Sequence, residues 1–413
     1  MKFIPPSKSL TSRDYLFIAL VVIIFLLISA ALLASNRALN GGGDFYVHWE
    51  GSRSYRIERV DPYSGNVPAR VQQLVYGRAA RIGEEPYILD TPFHLLLLYF
   101  PFSFFSDPIT ARAVYTWLLQ LTLIPLALIS LYLTDWEAPL ILAAAFVALV
   151  MLNFYSAQTI YEASPVLFLG LLYAGILFSL RFELDEFAGA LIALSFYYWE
   201  VGAPFLFLIA LRVYHEKRSG VFNGFLMLSF ILLVLSFFLY SNWFIPFLRA
   251  TTNNLRAGFG YNIHIVLADM FPAQGNFLAW TLVIILFIAL SYEWSIARSS
   301  DFRRFYWASC LSIAAAPLLG FRTEMEHLSV LAIPLALVFA VVHDRWNRIA
   351  NFLTALLMSF VFIIPWSLSL IPYPLAQEVT FLFLPLFTVV GLYWIRWWAI
   401  RPPRIWTDLA PRP

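Results

Sequence analysis

Apolar segments recur along this chain with little interruption, and that recurrence leaves it few ways to fold. After a first run from about Tyr15 to Ala34, further segments lie near 109–133, 138–153, 162–181, 187–199, 202–213, 220–241, 277–297, 305–321, 327–343, 348–371 and 377–398. Many approach the roughly 20 residues that carry a helix through a bilayer. In lipid only helices and closed barrels satisfy their own backbone. Charged residues make up 13% of the chain and the mean hydropathy is +0.74, against about 25% charged in soluble domains. The sequence therefore predicts an all-α polytopic membrane protein, one transmembrane domain over 1–413 with about twelve crossings. The first run exceeds the roughly 7–15 residues of a signal-peptide core and reads as a retained anchor. The net charge of +2 points to no nucleic-acid partner. The single Cys310 excludes an internal disulfide and a Cys-based zinc site.

Charge orients the bundle. Lys2, Lys8 and Arg13 precede the first helix, which puts the N-terminus in the cytoplasm of a cell (plasma) membrane. Twelve crossings then place Arg181, the 215–218 cluster, Arg298, Arg303, Arg304, Arg345, Arg348 and the Arg396–Arg412 tail on the cytoplasmic side. The opposite short loops, near 154–161, 199–203 and 372–377, hold no Lys or Arg, as the positive-inside rule expects.

Two longer stretches face the outside, 36–91 and 242–276. In the first, Phe45–Val60 and Val67–Ile82 read as amphipathic surface helices joined by the turn Asp61-Pro62-Tyr63-Ser64-Gly65. The second helix shows a face in Val71, Leu74, Val75, Arg78 and Ile82. Thr91–Phe105 is apolar but short, either re-entrant or a tilted span. The first loop breaks the charge rule with Arg37, Arg53, Arg56, Arg59, Arg70, Arg78 and Arg81. So many guanidiniums beside a membrane suggest an anionic partner such as a lipid phosphate.

This topology gathers polar residues at outer helix ends, where charge is costly unless paired or hydrated. Asp44 follows three glycines and precedes an aromatic stretch with His48 and Trp49. It reads as a general base, an anionic substrate ligand or a metal ligand, or else as a turn residue beside glycines. Arg322-Thr323-Glu324-Met325-Glu326-His327 packs a guanidinium, two carboxylates and an imidazole between two apolar segments. Arg322 suits a phosphate, and His327 can donate a hydrogen bond or a proton. The plainer reading is a self-paired knot at helix ends. Glu200 falls between two short segments, as a site residue or a salt-bridge partner. Gln158, Glu162 and His94 carry weaker signals, and His48 and Trp49 read as orienting or stacking residues. No nucleotide fingerprint, P-loop, zinc spacing or GxSxG is present.

These residues carry a resemblance. Helix one, then Gly42-Gly43-Asp44-Phe45-Tyr46, Val60-Asp61-Pro62-Tyr63, Tyr87 and Thr91-Pro92, resembles the start of glycosyltransferase family 87. Ser156-Ala157-Gln158, the short pair with Pro204, and the Arg322–His327 turn are similar to later family features. Glu200 stands where the family often has a Lys-Pro pair, and Ala157 replaces a usual glycine. The resemblance implies a GT-C-like bundle and an inverting transfer of mannose or another hexose. The donor would be a polyprenyl-phosphate sugar, and the acceptor a lipid or glycan at the extracytoplasmic face among membrane lipids. Asp44 would be the base. Arg322 and His327, with Arg53 and Arg56, would hold the donor phosphate. Glu200, Gln158, Glu324, His48, Trp49 and His94 would line the substrates. No cofactor is required, although Asp44, Glu200, Glu324 and Glu326 include enough carboxylates for a metal. The competing class is a membrane transporter or lipid-linked sugar flippase, which predicts matched discontinuous helices in two halves. The chain shows one short pair, 187–213. A structural subunit is the third class, in which outer-face charges would not matter for activity.

Overall fold

A computed structural model describes residues 12–81, 83–257, 260–346, 348–373 and 375–401. Lys2, Lys8, Ile82 and the tail beyond 401, all used in the sequence reading, lie outside the described residues. Among the described residues the chain is all-helical, and its one strand-like pairing is an antiparallel bridge between Tyr261 and Thr323.

In chain order the helices are α1 (Ser12–Ala38), α2 (Gly43–Arg53), α3 (Asn66–Tyr76), α4 (Phe93–Leu96), α5 (Pro108–Leu133) and α6 (Leu140–Leu152). Then come α7 (Phe154–Glu162), α8 (Val166–Arg181), α9 (Asp185–Ser195), α10 (Trp199–Glu216), α11 (Ser219–Leu239) and α12 (Phe244–Ala257). The last are α13 (Ile263–Met270), α14 (Gly275–Ala297), α15 (Phe302–Ala315), α16 (Ala332–Arg345), α17 (Ala350–Ser369) and α18 (Ala376–Ala399). A tight helical turn over Met325–Leu331 leads into α16. Among the described residues, six helices are long and apolar enough to cross a membrane: α5, α11, α14, α17, α18 and the combined 325–345 segment. The bent pairs α1/α2 and α6/α7 raise this to eight.

The 325–345 segment is the centre of the bundle, with 89% of its apolar window buried, against 17% for α11 and 22% for α14 and α17. α16 packs against α5, α15, α17 and α18. α11 instead exposes Phe230 and Phe238 on its outside, and α14 exposes Ile285 and Ile288. A helix apolar all round and exposed is suited to lipid. Polar side chains cross-link the layers. Trp307 Nε1 donates to the Leu392 carbonyl at 3.0 Å and Tyr155 Oη to that of Thr380 at 2.7 Å. Each contributes about 0.5–1.5 kcal/mol.

Local chemistry moves several boundaries from those the sequence suggests. α3 ends at Tyr76, short of 82, because Gly77 takes a left-handed φ of 68° and its N–H closes on the Gln73 carbonyl. Val67 and Val71 are its buried face, and Leu74 is exposed. The stretch 91–105 is no continuous span: α4 gives way to two short turns, 97–99 and 102–104, separated by Pro101. The expected link 199–203 is helical, so Glu200 lies in the first turn of α10. Gly202 is there for close packing, since a Cβ would come 1.8 Å from the Tyr173 hydroxyl. The expected loop 154–161 is α7, bent 42° from α6 at Asn153, whose side chain accepts from the Ser156 N–H at 3.0 Å.

Arginines at one end of the bundle are paired. Arg181 meets Asp135 at 2.6 Å and Arg218 meets Asp185. Arg396 holds both oxygens of Glu293 at 2.9 and 3.0 Å, with Arg304 at 3.9 Å. Glu293 is only 3% exposed. Glu293→Gln leaves two guanidiniums short of their counter-charge. It is expected to cost about 1–3 kcal/mol, discounted for the partial exposure of Arg396. A lowered melting temperature in detergent checks this.

Candidate functional site

Three glycines turn the chain out of α1. α2 leaves at 89° to it, so α2 runs beside the bundle end and does not extend α1. Gly41 and Gly42 have φ of 123° and 93°, left-handed values that cost other residues dearly. Arg112, from α5 and 4% exposed, clamps the turn by donating to the carbonyls of Gly41 (2.6 Å), Asn36 (2.8 Å) and Leu39. A Cβ on Gly42 would lie 2.3 Å from Arg112 Cδ, and one on Gly43 2.4 Å from the Tyr87 ring. Asp44 is therefore delivered in the first turn of α2 with almost no freedom in the backbone before it.

The rest of α2 is anchored inward. Trp49 Nε1 donates to the Phe102 carbonyl at 3.1 Å, and Ser52 Oγ to that of Leu96 at 3.1 Å. His48 stacks on Tyr99 at 4.5 Å, and its Nδ1 lies 2.6 Å from the Asp44 carbonyl. A carbonyl only accepts, so Nδ1 carries the proton. Burial pushes the His48 imidazole down to about 4, so it stays neutral near neutral pH.

Asp44 faces a cavity of about 1460 Å³. Tyr76 and Gly83–Tyr87 form one side, and Gln158 and Glu162 of α7 another. The remainder comes from Tyr261, Asp269, Glu324–Glu326 and the 368–380 connection between α17 and α18. Two contacts fix these walls. Thr159 Oγ1 donates to the Glu326 carbonyl at 3.0 Å, which ties α7 to the 325–331 turn. Tyr261 and Thr323 exchange backbone hydrogen bonds of 2.8 Å, which ties the α12–α13 loop to the same turn.

The lining is strongly acidic. Among the described residues, Asp44, Glu84, Glu85, Glu162, Asp269, Glu324, Glu326 and Glu378 face it together with one cation, Arg81. Burial, then the fields of Glu324 and Glu162, hold the Asp44 carboxyl well above the usual carboxylate range. Burial pushes Glu85 up to about 10, helped by Asp44, Glu324 and Glu162 and opposed by Arg322. Asp90, just outside, is raised by burial against the pull of its 2.7 Å bond from Asn254. Such mutual perturbation in a cleft marks a candidate functional site.

Arg322 lies behind this acidic wall. Its Nη1 donates to the Asn254 carbonyl at 3.2 Å, and Gly260, at φ 100°, packs against its side chain. Among the described residues it forms no ion pair, and it biases Glu85, Asp90 and Glu200 at once. His327 is buried, its ring 5.1 Å from that of Tyr198. Its Nδ1 accepts the Glu324 N–H at 3.1 Å, and the Glu324 carboxylate caps the His327 N–H in return. Glu324, Glu326 and His327 bring potential metal-ligand atoms within 4.8 Å of one another.

The structure brings Asp44, Gln158 and Glu324 to one cavity, with Glu162 and Glu326. Arg322 and His327 sit next to it, and Glu200 lies on α10, outside the lining but in the field of Arg322. Other expected residues go elsewhere. Arg56 donates to Ser103 Oγ (2.8 Å) and O (2.7 Å) and covers the Phe104 ring at 3.9 Å. Arg53 donates to the Ser106 carbonyl at 3.3 Å and covers Trp49. His48 and Trp49 pack inside the bundle end, and His94 lies beside Trp243 with ring centroids 6.5 Å apart. Arg70 pairs with Glu50 and Glu58, and Arg78 with Glu84, so of the first-loop arginines Arg81 is the one that lines the cavity. Sequence reasoning missed Glu85 and Arg112. A lone arginine inside the apolar 109–133 segment was a usable signal. Glu85, in a loop of charges before Pro86, offered none.

No known protein family matches the chain, and no curated protein or solved structure matches it.

Proposed function

We propose that this chain is an inverting GT-C-type glycosyltransferase, as its resemblance to family 87 implies. It would move a hexose from a polyprenyl-phosphate donor to a lipid or glycan acceptor. The observation that carries the reading is Asp44: a carboxyl locked by the Gly41–Gly43 turn and Arg112, facing a cavity it shares with Gln158 and Glu324. In this reading the helices make twelve crossings: α1, α5, the α6–α7 pair, α8, α9, α10, α11, α14, α15, 325–345, α17 and α18. The cavity lies at the extracytoplasmic end, and the arginine-rich end is cytoplasmic.

Asp44 takes the proton of the acceptor hydroxyl as that oxygen attacks the anomeric carbon. The bond from that carbon to the donor phosphate oxygen breaks, and attack from the opposite face inverts the configuration. The departing polyprenyl phosphate gains negative charge, and Arg322, beside the cavity, would offer it guanidinium donors. A base must be ionised to act, and Asp44 starts with a raised affinity for its proton. The acid limb of kcat/KM is therefore expected well above pH 4. A pH–rate profile on purified protein checks this, and a limb near pH 4 contradicts Asp44 as the base.

The test of the function uses nanodiscs holding the protein and a polyprenyl-phosphate hexose labelled in its sugar. Label is expected to pass to a lipid or glycan acceptor. Label that crosses the bilayer while still joined to polyprenyl phosphate would identify a flippase instead.

A further inference from the structure

Glu324 and Glu326 project from one turn into the same wall of the cavity, and their carboxyl groups lie against each other. Two facing carboxylates need a shared proton or a cation between them. Glu326 is 5% exposed, yet its Oε1 has no hydrogen-bond partner among the described residues. A buried oxygen of that kind is costly to leave unbound. No basic side chain pairs with either carboxylate among the described residues, since Arg322 is turned to the Asn254 carbonyl. The separation suits an ion. Metal–oxygen bonds of about 2.0–2.6 Å let one cation join two oxygens up to roughly 4–5 Å apart, and the candidate ligand atoms here lie within 4.8 Å.

We infer that Glu324 and Glu326 bind a hard divalent cation of the Mg²⁺ or Mn²⁺ class on the wall of the cavity. His327 sets that class. Its Nδ1 lone pair is already taken by the Glu324 N–H, so the neutral ring keeps its proton on Nε2 and offers no free lone pair. The ligand set is then oxygen only, completed by water or by substrate oxygens, which suits Mg²⁺ or Mn²⁺ over Zn²⁺. Bound there, the ion would cancel the repulsion within the pair and present a positive face to an anionic oxygen in the cavity. The inference stands apart from the transfer reaction, because ion binding needs neither donor nor acceptor.

The test is Mn²⁺ binding followed by electron paramagnetic resonance, on chelator-stripped protein in phosphatidylcholine nanodiscs. The wild type is expected to bind one saturable Mn²⁺ per chain, displaced by excess Mg²⁺. Glu326→Gln is expected to weaken binding about tenfold or more, while Asp269→Asn, at the exposed mouth of the same cavity, keeps wild-type affinity. Glu324→Gln serves if Glu326→Gln does not fold, as judged by its melting curve. Absence of saturable Mn²⁺ in the wild type overturns the inference and leaves a shared proton between the carboxyls. Wild-type affinity in a folded Glu326→Gln or Glu324→Gln overturns it equally.

Discussion

Asp44→Asn is expected to lower the turnover of sugar transfer by about 10²–10⁴-fold, the usual contribution of a positioned base. Asparagine keeps the shape of the side chain and the α2 turn that presents it. It removes only the ability to take a proton. The donor KM is expected to stay near its wild-type value, because the groups assigned to the phosphate lie on the 322–327 turn. Stability should not fall. Asp44 is held among Glu324, Glu162 and Asp90, so replacing it with a neutral group relieves repulsion. A melting temperature equal to or above that of the wild type, with transfer lost, separates chemistry from unfolding. Transfer within tenfold of wild type in a well-folded Asp44→Asn would remove Asp44 from the mechanism.

Gly42→Ala is expected to have a large structural effect for a single methyl group at the site. Two costs combine. A left-handed φ of 93° is worth about 1–2 kcal/mol against alanine. The new Cβ would also sit 2.3 Å from Arg112 Cδ, and overpacking of this kind costs about 1–3 kcal/mol. Arg112 cannot simply step aside, because three carbonyls hold its guanidinium. The sum, about 2–5 kcal/mol, should appear as a lower melting temperature together with lost transfer, since Asp44 is displaced with the turn. Gly65→Ala is the control. Its φ is −62° and a Cβ there meets nothing within 4 Å, so it should melt as the wild type or slightly above. Equal melting of Gly42→Ala and Gly65→Ala would show that the turn is not the rigid anchor described here.

The membrane-like, all-helical character was plain in the sequence because apolar segments of spanning length have few soluble solutions. The Gly41–Asp44 stretch and the Arg322–His327 turn were also legible. In each, charge and backbone freedom are concentrated where an apolar segment ends. What the sequence hid was the destination of each side chain. Gly202 is a point of close approach to Tyr173, and Glu200, which the sequence sets between two short segments, lies in α10. Arg53 and Arg56 read as free cations, yet serine and backbone oxygens and aromatic faces take them up. Glu85 carries no signal in the sequence, and only the fold sets it in one cavity with Asp44 and Glu324. Periodicity reports which face of an element is apolar. It does not report which distant carboxylates will share a cavity.

The most direct measurement of the central claim is a product analysis with purified wild-type protein, a polyprenyl-phosphate hexose of known anomeric configuration and a membrane glycolipid acceptor extract. Free polyprenyl phosphate and a new glycoside are expected in equal amounts, with the anomeric configuration opposite to that of the donor by nuclear magnetic resonance. A glycoside of retained configuration would contradict a single displacement assisted by Asp44. Polyprenyl-phosphate hexose that stays intact under all conditions would contradict the assignment as a glycosyltransferase.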